Sequence, residues 1–344
     1  NVELPADIID EILSRLPVKP LCRFRCVSKP WQSRISDHKF IAMHSSKAIE
    51  NMDVLTQRLK LVFTKLETGR VYSLYLDQLL NHMVDGLLVY KELSTGYDCR
   101  PLFAVDICNR LLFFRGCDKF DLITYPATRE SRKVPKTPTW RLPNKLPSEP
   151  DLFYGFGFDY STNQYKVVYA KCYSTDGRGN INEGNGDGVV FSVYTLMETS
   201  SSWRRVEGVY PYVTISFGGT VLNGCVHWLA RRGRDRDGPL LIVSFLLAEE
   251  EVKEIPLPPI CSTGSRQLGV FRNWLRITLW EVKEVAYNEF LVTKEYGVRD
   301  SWTKMQVSKP YYRLSHSGFW TKTYHLMVYD YSSLVMCNFN DGTF

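Results

Sequence analysis

Residues 218–230 read GGTVLNGCVHWLA and residues 240–259 read LLIVSFLLAEEEVKEIPLPP. The first stretch is a hairpin: Asn223-Gly224 is the strongest short turn signal, with apolar runs on both sides. The second is a long apolar strand, a polar turn at Glu249-Glu250-Glu251 and a charged strand ending in prolines. Together they supply four strands within one stretch of chain.

The same two modules alternate along the sequence. The Asn-turn hairpin recurs as DICNRLLFFRG around Asn109, FGFDYSTNQYKVVYA around Asn163 and LGVFRNWLRITLW around Asn273. The strand–turn–strand module recurs as FDLITYPATRESRKVP, FSVYTLMETSSSWRRVEG and FLVTKEYGVRDSWTKMQV. Two hairpins per repeat make a four-stranded blade, and several blades make a propeller. An open sheet of so many strands would leave edges to protect, and ring closure removes most of them. At Asn109 the following residue is Arg110 rather than Gly, so this turn is expected to be strained or of another type than the Asn-Gly turn.

The N-terminus follows a different period. Ile8, Ile12 and Leu16 recur at helical spacing beside Ile9 and Leu13, and Pro17 stops the helix. A second short helix follows Pro20, with Leu21, Phe24 and Val27 at steps of three. Ser28 is placed to cap a third, with Pro30 in its first turn and Trp31 and Ile35 on one face. Three short helices carry more apolar side chains here than they can hide from one another, so something else should cover the surplus. Residues 1–41 form this unit, 42–57 read as a connector, and 58–344 read as the β domain. The fold class is therefore α+β and multidomain, with three helices followed by an all-β, propeller-like body.

Composition supports this reading: 44% hydrophobic, 23% charged and 13% aromatic, the aromatic share leaning toward strands. The net charge of +6 is not gathered into a basic stripe, which argues against a nucleic-acid partner. Nine cysteines are scattered with no CxxC pair and no His at zinc spacing, so no metal is expected and a reducing compartment is. No apolar run approaches a membrane span, and the acidic start is not a signal peptide. A chain opening on Asn1 instead of Met is expected to lack its own first residues.

Candidate sites read mostly as structure. Gly155-x-Gly157 lacks a third glycine and sits in a strand pattern, so it is not a dinucleotide fingerprint. There is no P-loop and no GxSxG. His227-Trp228 reads as blade packing, and Glu249-Glu250-Glu251 as a solvated acidic turn. Residues 174–188, rich in Gly, Asn and Asp, read as a flexible insertion. Pro135 to Pro150 reads as an extended crossover, on which an exposed Trp140 would be a recognition candidate. Arg231, Arg232, Arg234 and Arg236 form a charged loop that could meet an acidic target.

Leu4-Pro5, residues 8–19 (IIDEILSRLPVK), residues 21–29 (LCRFRCVSK) and Trp31 closely resemble the F-box of plant F-box proteins, with Pro20 departing from an expected Ser. Tyr125 to Glu130, Gly155 to Asp159, Tyr165 to Val168, Leu222-Asn223-Gly224 with His227-Trp228, and Glu295 to Val298 with Ser301-Trp302 resemble the F-box-associated domain. That family includes self-incompatibility (S-locus) and immune-regulating members. The family favours Asn before Pro126, where this chain has Tyr125. The resemblance implies a substrate receptor of an SCF ubiquitin ligase without catalytic residues or cofactor. The Skp-type adaptor, which joins a cullin and a RING protein, would contact Leu4, Pro5, Ile9, Ile12, Leu13, Leu16, Pro17, Leu21, Phe24, Val27 and Trp31. Some of these must instead hold the helices together. The β domain would hold a target protein, in the cytoplasm or nucleus. Two other readings remain: a carbohydrate- or small-molecule-binding propeller, and an F-box protein that occupies the adaptor without delivering a substrate.

Overall fold

The computed structural model describes residues 5–16, 18–37, 40, 43–44, 60–65, 68, 70–75, 91–93, 102–109, 111–116, 120–126, 130–140, 146–147, 153–174, 188–196, 201–214, 218–233, 238–258, 265–271, 274–280, 288–307, 319–320, 324–329 and 333–338. The connector at 45–57, the insertion at 175–187, Arg110 and Asn273 lie outside these residues. Two units are formed, one by residues 1–104 with 125–131, the other by residues 105–124 with 132–344.

The first unit opens with helices α1 (Ala6–Ser14), α2 (Val18–Phe24) and α3 (Lys29–Ser36). Their boundaries follow local chemistry. Pro5 takes the N-cap position of α1, with Asp7 in the first turn where the helix dipole favours a carboxylate. Ser28 accepts a hydrogen bond from the Trp31 amide at 3.3 Å, and Pro30 sits in the first turn of α3. Strands β1 (Lys60–Lys65), β2 (Arg70–Tyr75) and β3 (Lys91–Glu92) follow as an antiparallel sheet.

The remaining described chain is almost wholly strand. In order come β4 (Leu102–Cys108), β5 (Leu111–Gly116), β6 (Phe120–Tyr125) and β7 (Glu130–Pro135), forming one sheet. Next are β8 (Leu146–Pro147), β9 (Phe153–Asp159), β10 (Gln164–Ser174), β11 (Gly188–Thr195) and β12 (Trp203–Arg205). A third group is β13 (Tyr212–Thr214), β14 (Thr220–Leu222), β15 (Cys225–Arg232), β16 (Leu240–Leu246) and β17 (Glu251–Pro256). Then come β18 (Ser265–Phe271), β19 (Trp274–Trp280), β20 (Asn288–Thr293) and β21 (Trp302–Val307), and last β22 (Phe319–Trp320), β23 (Tyr324–Tyr329) and β24 (Ser333–Asn338). Each group is one antiparallel sheet of consecutive hairpins, β8 and β13 adding short outer pairings to β10 and β15. This is the blade repeat that the alternating modules imply.

The Asn turns are confirmed where they are described. Asn109, Asn163 and Asn223 all take positive φ, at 44°, 58° and 52°. Asn tolerates this left-handed conformation better than other side chains. At β14–β15, Gly224 follows with φ 71°, so both turn residues are left-handed as a type I′ turn requires.

Alternate residues of the inner strands face opposite neighbours. On β15, Val226, Trp228 and Ala230 join Phe153, Val168, Phe191 and Phe245 in one core between sheets, while Leu229 joins Leu275, Ile277 and Leu291 in the next. Both faces of the strand are buried, which explains its continuous apolar run. The glycine pair of β9 belongs to this packing. A Cβ on Gly155 would collide with Val226 Cγ1 and approach Trp228 Cζ2 at 3.3 Å, and one on Gly157 would meet Leu247. Close approach of adjacent sheets, not nucleotide binding, accounts for the motif. Gly155→Ala should therefore overpack the seam and cost about 1–3 kcal/mol, read as a lowered thermal midpoint; an unchanged midpoint would contradict so close a seam.

Candidate functional site

The helical unit has a small core: Leu13, Leu21, Ile35 and Phe40 are buried, with Ile9, Leu16, Phe24, Trp31 and Met43 packed partly against them. Phe24 and Trp31 meet edge to face at 5.5 Å between centroids. Arg34 pairs with Asp10 at 2.9 Å and ties α3 to α1. The His44 Nε2–H donates to the Leu16 carbonyl at 2.8 Å and satisfies the end of the α1 turn.

This arrangement divides the expected adaptor contacts. Leu13 and Leu21 are internal, 2% and 4% exposed. Ile12 and Val27 are 51% and 65% exposed, and Pro5 is exposed as well. Ile9, Leu16, Phe24 and Trp31 are shared between core and surface. Leu4 and Pro17 lie outside the described residues. Sequence reasoning missed Ile8, which is 43% exposed one turn before Ile12 on the same face. The four-residue spacing pairs Ile8 with Ile12 and Ile9 with Leu13, but which pair turns inward is set by the packing of Leu21, Ile35 and Phe40.

In the β domain the described members of the expected target contacts are partly engaged within the fold. Trp140 is half-buried: its indole N–H donates to Ser192 Oγ at 2.8 Å, and its backbone exchanges hydrogen bonds with the Tyr173 hydroxyl. Ser192 on β11 offers the acceptor that fixes the ring, so Trp140 is partly engaged in the fold. Arg231 and Arg232 end strand β15 instead of lying in a loop. Arg231 donates to the Gly238 carbonyl at 2.7 Å, and Arg232 pairs with Glu254. Arg234 and Arg236 lie outside the described residues.

His227 is fully buried, and its partners settle its tautomer. The Thr220 carbonyl can only accept, so Nδ1 carries the proton at 3.0 Å. Nε2 then accepts from the Tyr296 hydroxyl at 2.6 Å, and the Tyr296 oxygen accepts from Ser244 Oγ–H at 3.0 Å. Burial pulls the His227 pKa down to about 4, and the Thr220 contact only partly offsets this. Trp228 beside it is fully buried, with its N–H donated to the Tyr154 carbonyl at 3.0 Å. The pair is blade packing, as read from sequence.

A native pKa below the unfolded value means that stability is complete above about pH 6.5 and is lost as pH falls toward 4. At pH 5 the linkage cost is roughly 2 kcal/mol. His227→Gln should be less stable than wild type at pH 7 yet lose less on going from pH 7 to pH 5, measured as thermal midpoints. An equal loss in both proteins would remove His227 as the source.

The acidic turn also differs from its reading. Glu249 and Glu251 are exposed, but Glu250 takes φ 58° and points its carboxylate at Lys166 (2.9 Å) and Arg204 (2.6 Å). Those two cations hold a non-glycine residue in a left-handed conformation that ordinarily costs about 1–2 kcal/mol.

Among the described residues no helix is long and apolar enough to cross a membrane, and no group of three or more His, Cys, Asp or Glu is placed to hold a metal ion. Comparison with known families matches residues 2–42 to the F-box domain and residues 58–338 to the F-box associated beta propeller domain. The F-box protein CPR1 of Arabidopsis thaliana is 28% identical over 323 residues, covering 89% of this chain and 73% of that protein. An F-box/kelch-repeat protein of the same plant is 26% identical over 310 residues, covering 88% and 78%. Among solved structures, oligogalacturonate lyase from Vibrio parahaemolyticus aligns with TM-score 0.45 and 11% identity, over 84% of this chain and 74% of that one.

Proposed function

We propose a function for a chain that belongs to the F-box-associated β-propeller family of F-box proteins: it is the substrate-recognition subunit of an SCF-type ubiquitin ligase. The F-box holds a Skp-type adaptor, which connects to a cullin and a RING protein. The propeller holds a target protein, in the cytoplasm or nucleus. The chain does no chemistry of its own. It raises the rate of ubiquitin transfer by keeping target lysines near the charged conjugating enzyme, so that a bimolecular step becomes effectively intramolecular.

The observation that carries this reading is the exposure of Ile8, Ile12 and Val27. These are three large aliphatic side chains left in water on a unit too small to waste them. On this reading Pro5, Ile8, Ile12 and Val27 meet the adaptor directly. Ile9, Leu16, Phe24 and Trp31 contribute their exposed parts, Leu13 and Leu21 support the helices from within, and Leu4 and Pro17 remain candidate contacts. Arg231, Arg232, Arg234, Arg236 and Trp140 remain candidates for the target surface.

The test is co-purification with a Skp-type adaptor, followed by target abundance in cells that express the chain with residues 1–41 deleted. A stoichiometric complex, and a target that accumulates on deletion, support the receptor reading. A well-folded chain that captures no adaptor refutes it.

A further inference from the structure

The corner between α2 and α3 carries charge of one sign. From Ile12 to Ser36 the chain has six lysines and arginines and no carboxylate. The acids on either side of this stretch are already used. Glu11 pairs with Arg15 at 2.8 Å and Asp10 with Arg34 at 2.9 Å, and Asp37 has a partner of its own. Asp7 sits in the first turn of α1, where the helix dipole favours it. Arg23, Arg25 and Lys29 are left over. All three are exposed, and among the described residues none of their side chains makes an ion pair or a hydrogen bond.

These cations bracket Val27, which at 65% is more exposed than Ile8 or Ile12. Every residue from Arg25 to Pro30 is exposed with it. The turn is nevertheless fixed by its own backbone. The Arg25 amide donates to the Leu21 carbonyl at 3.1 Å, Cys26 to Arg23 at 3.0 Å and Val27 to Phe24 at 3.1 Å. Phe24 before the turn and Trp31 after it meet edge to face and anchor both ends. A corner held this way loses little freedom when a partner covers it.

Helix chemistry accounts for part of this charge. Arg23 lies in the last turn of α2 and Arg25 just beyond it, where the dipole favours cations. Lys29 is the first residue of α3, whose first turn holds no acid. The dipole opposes a cation there, and Arg23 and Arg25 add like charge close by in the chain. The fold gains nothing from the Lys29 charge, which points to a partner outside the chain. Val27 indicates what kind. A phosphate backbone would answer the cations and leave the valine in water. An apolar side chain among cations matches a protein pocket that is apolar at its centre and acidic around its edge.

We propose that Arg23, Arg25 and Lys29 select the adaptor: Val27 enters an apolar pocket of the Skp-type adaptor, and the three cations face carboxylates around that pocket. The inference rests on the receptor reading above and gives that contact a sign. Exposed charges act on encounter more than on lifetime, so the cations set the association rate and Val27 the dissociation rate.

The test follows association and dissociation of the full chain on an immobilised Skp-type adaptor from about 50 to about 500 mM salt, a range over which screening removes most long-range attraction. Wild type should associate about tenfold more slowly at the high end. Lys29→Glu should slow association about threefold at low salt with dissociation nearly unchanged, and the triple reversal Arg23→Glu, Arg25→Glu, Lys29→Glu should associate faster as salt rises. Val27→Ala should instead speed dissociation about tenfold. Lys29→Glu puts an acid where α3 favours one, so its thermal midpoint should hold or rise, which separates slower association from unfolding. Salt-independent association of wild type, or reversals that associate as fast as wild type, overturns the proposal. So does binding to phosphatidylserine vesicles or to an oligonucleotide that the reversals abolish while adaptor capture is unchanged. Failure of the receptor reading shows separately, as no capture of adaptor by wild type at any salt concentration, and removes this proposal with it.

Discussion

Ile12→Asp should abolish capture of a Skp-type adaptor while leaving the helical unit folded. Ile12 is half in water in the free chain, so a carboxylate there costs little before binding. In the complex the same carboxylate would be desolvated against apolar side chains with no partner, a loss of about 3 kcal/mol or more, roughly 100-fold in affinity. Leu13→Asp, one residue along, should fail for a different reason. Leu13 is 2% exposed among Leu21, Ile35 and Phe40, and a charge there takes the three helices apart. Trypsin distinguishes the two. Arg15, Arg23, Arg25 and Arg34 lie in or beside the helices, so cleavage should be rapid in Leu13→Asp and slow, as in wild type, in Ile12→Asp. Retained adaptor binding by Ile12→Asp would move the contact face elsewhere.

That contrast shows what the sequence could and could not carry. Ile12 and Leu13 are both apolar and adjacent, and the surplus of apolar residues was visible, but the rotation of α1 about its axis was not. It depends on where Leu21, Ile35 and Phe40 arrive from later in the chain. The blade repeat was legible because it is local. Asn109, Asn163 and Asn223 mark turns whose left-handed backbone favours Asn, and the burial of β15 on both faces writes itself as an unbroken apolar run. The cap of α3 was legible for the same reason, since Ser28 and Trp31 are three residues apart. Glu250 was misread because its partner Lys166 is far away in sequence, and the bond from Trp140 to Ser192 was hidden for the same reason. A polar residue at a turn reads as solvated until a distant cation is brought to it.

Lys166→Ala should destabilise the β domain more than Gly155→Ala or His227→Gln. The side chain is 5% exposed, and its Nζ lies 2.9 Å from Asp159 Oδ2, 2.9 Å from Glu250 Oε1 and 2.5 Å from the Leu247 carbonyl. It thus joins the β9–β10 hairpin to the β16–β17 loop of the neighbouring sheet. Without it Asp159, fully buried at its carboxylate, keeps only the Ser161 and Thr162 bonds, and Glu250 keeps only Arg204. Removing one partner of a buried pair costs about 3–5 kcal/mol, because the other charge stays desolvated. For a domain of this size that lowers the thermal midpoint by roughly 10 °C. The pH dependence should follow. Burial alone would raise the Asp159 pKa, but the bonds from Ser161, Lys166 and Thr162 outweigh it and hold the carboxyl well below its usual range. Its contribution is therefore complete above about pH 4 and is lost as pH falls through the depressed native value, so the gap between wild type and Lys166→Ala should narrow in acid. A double-mutant cycle with Glu250→Ala isolates the pair, and its coupling should exceed about 1 kcal/mol. A midpoint within a few degrees of wild type together with additive effects in the cycle would mean that Lys166 does not join the two sheets.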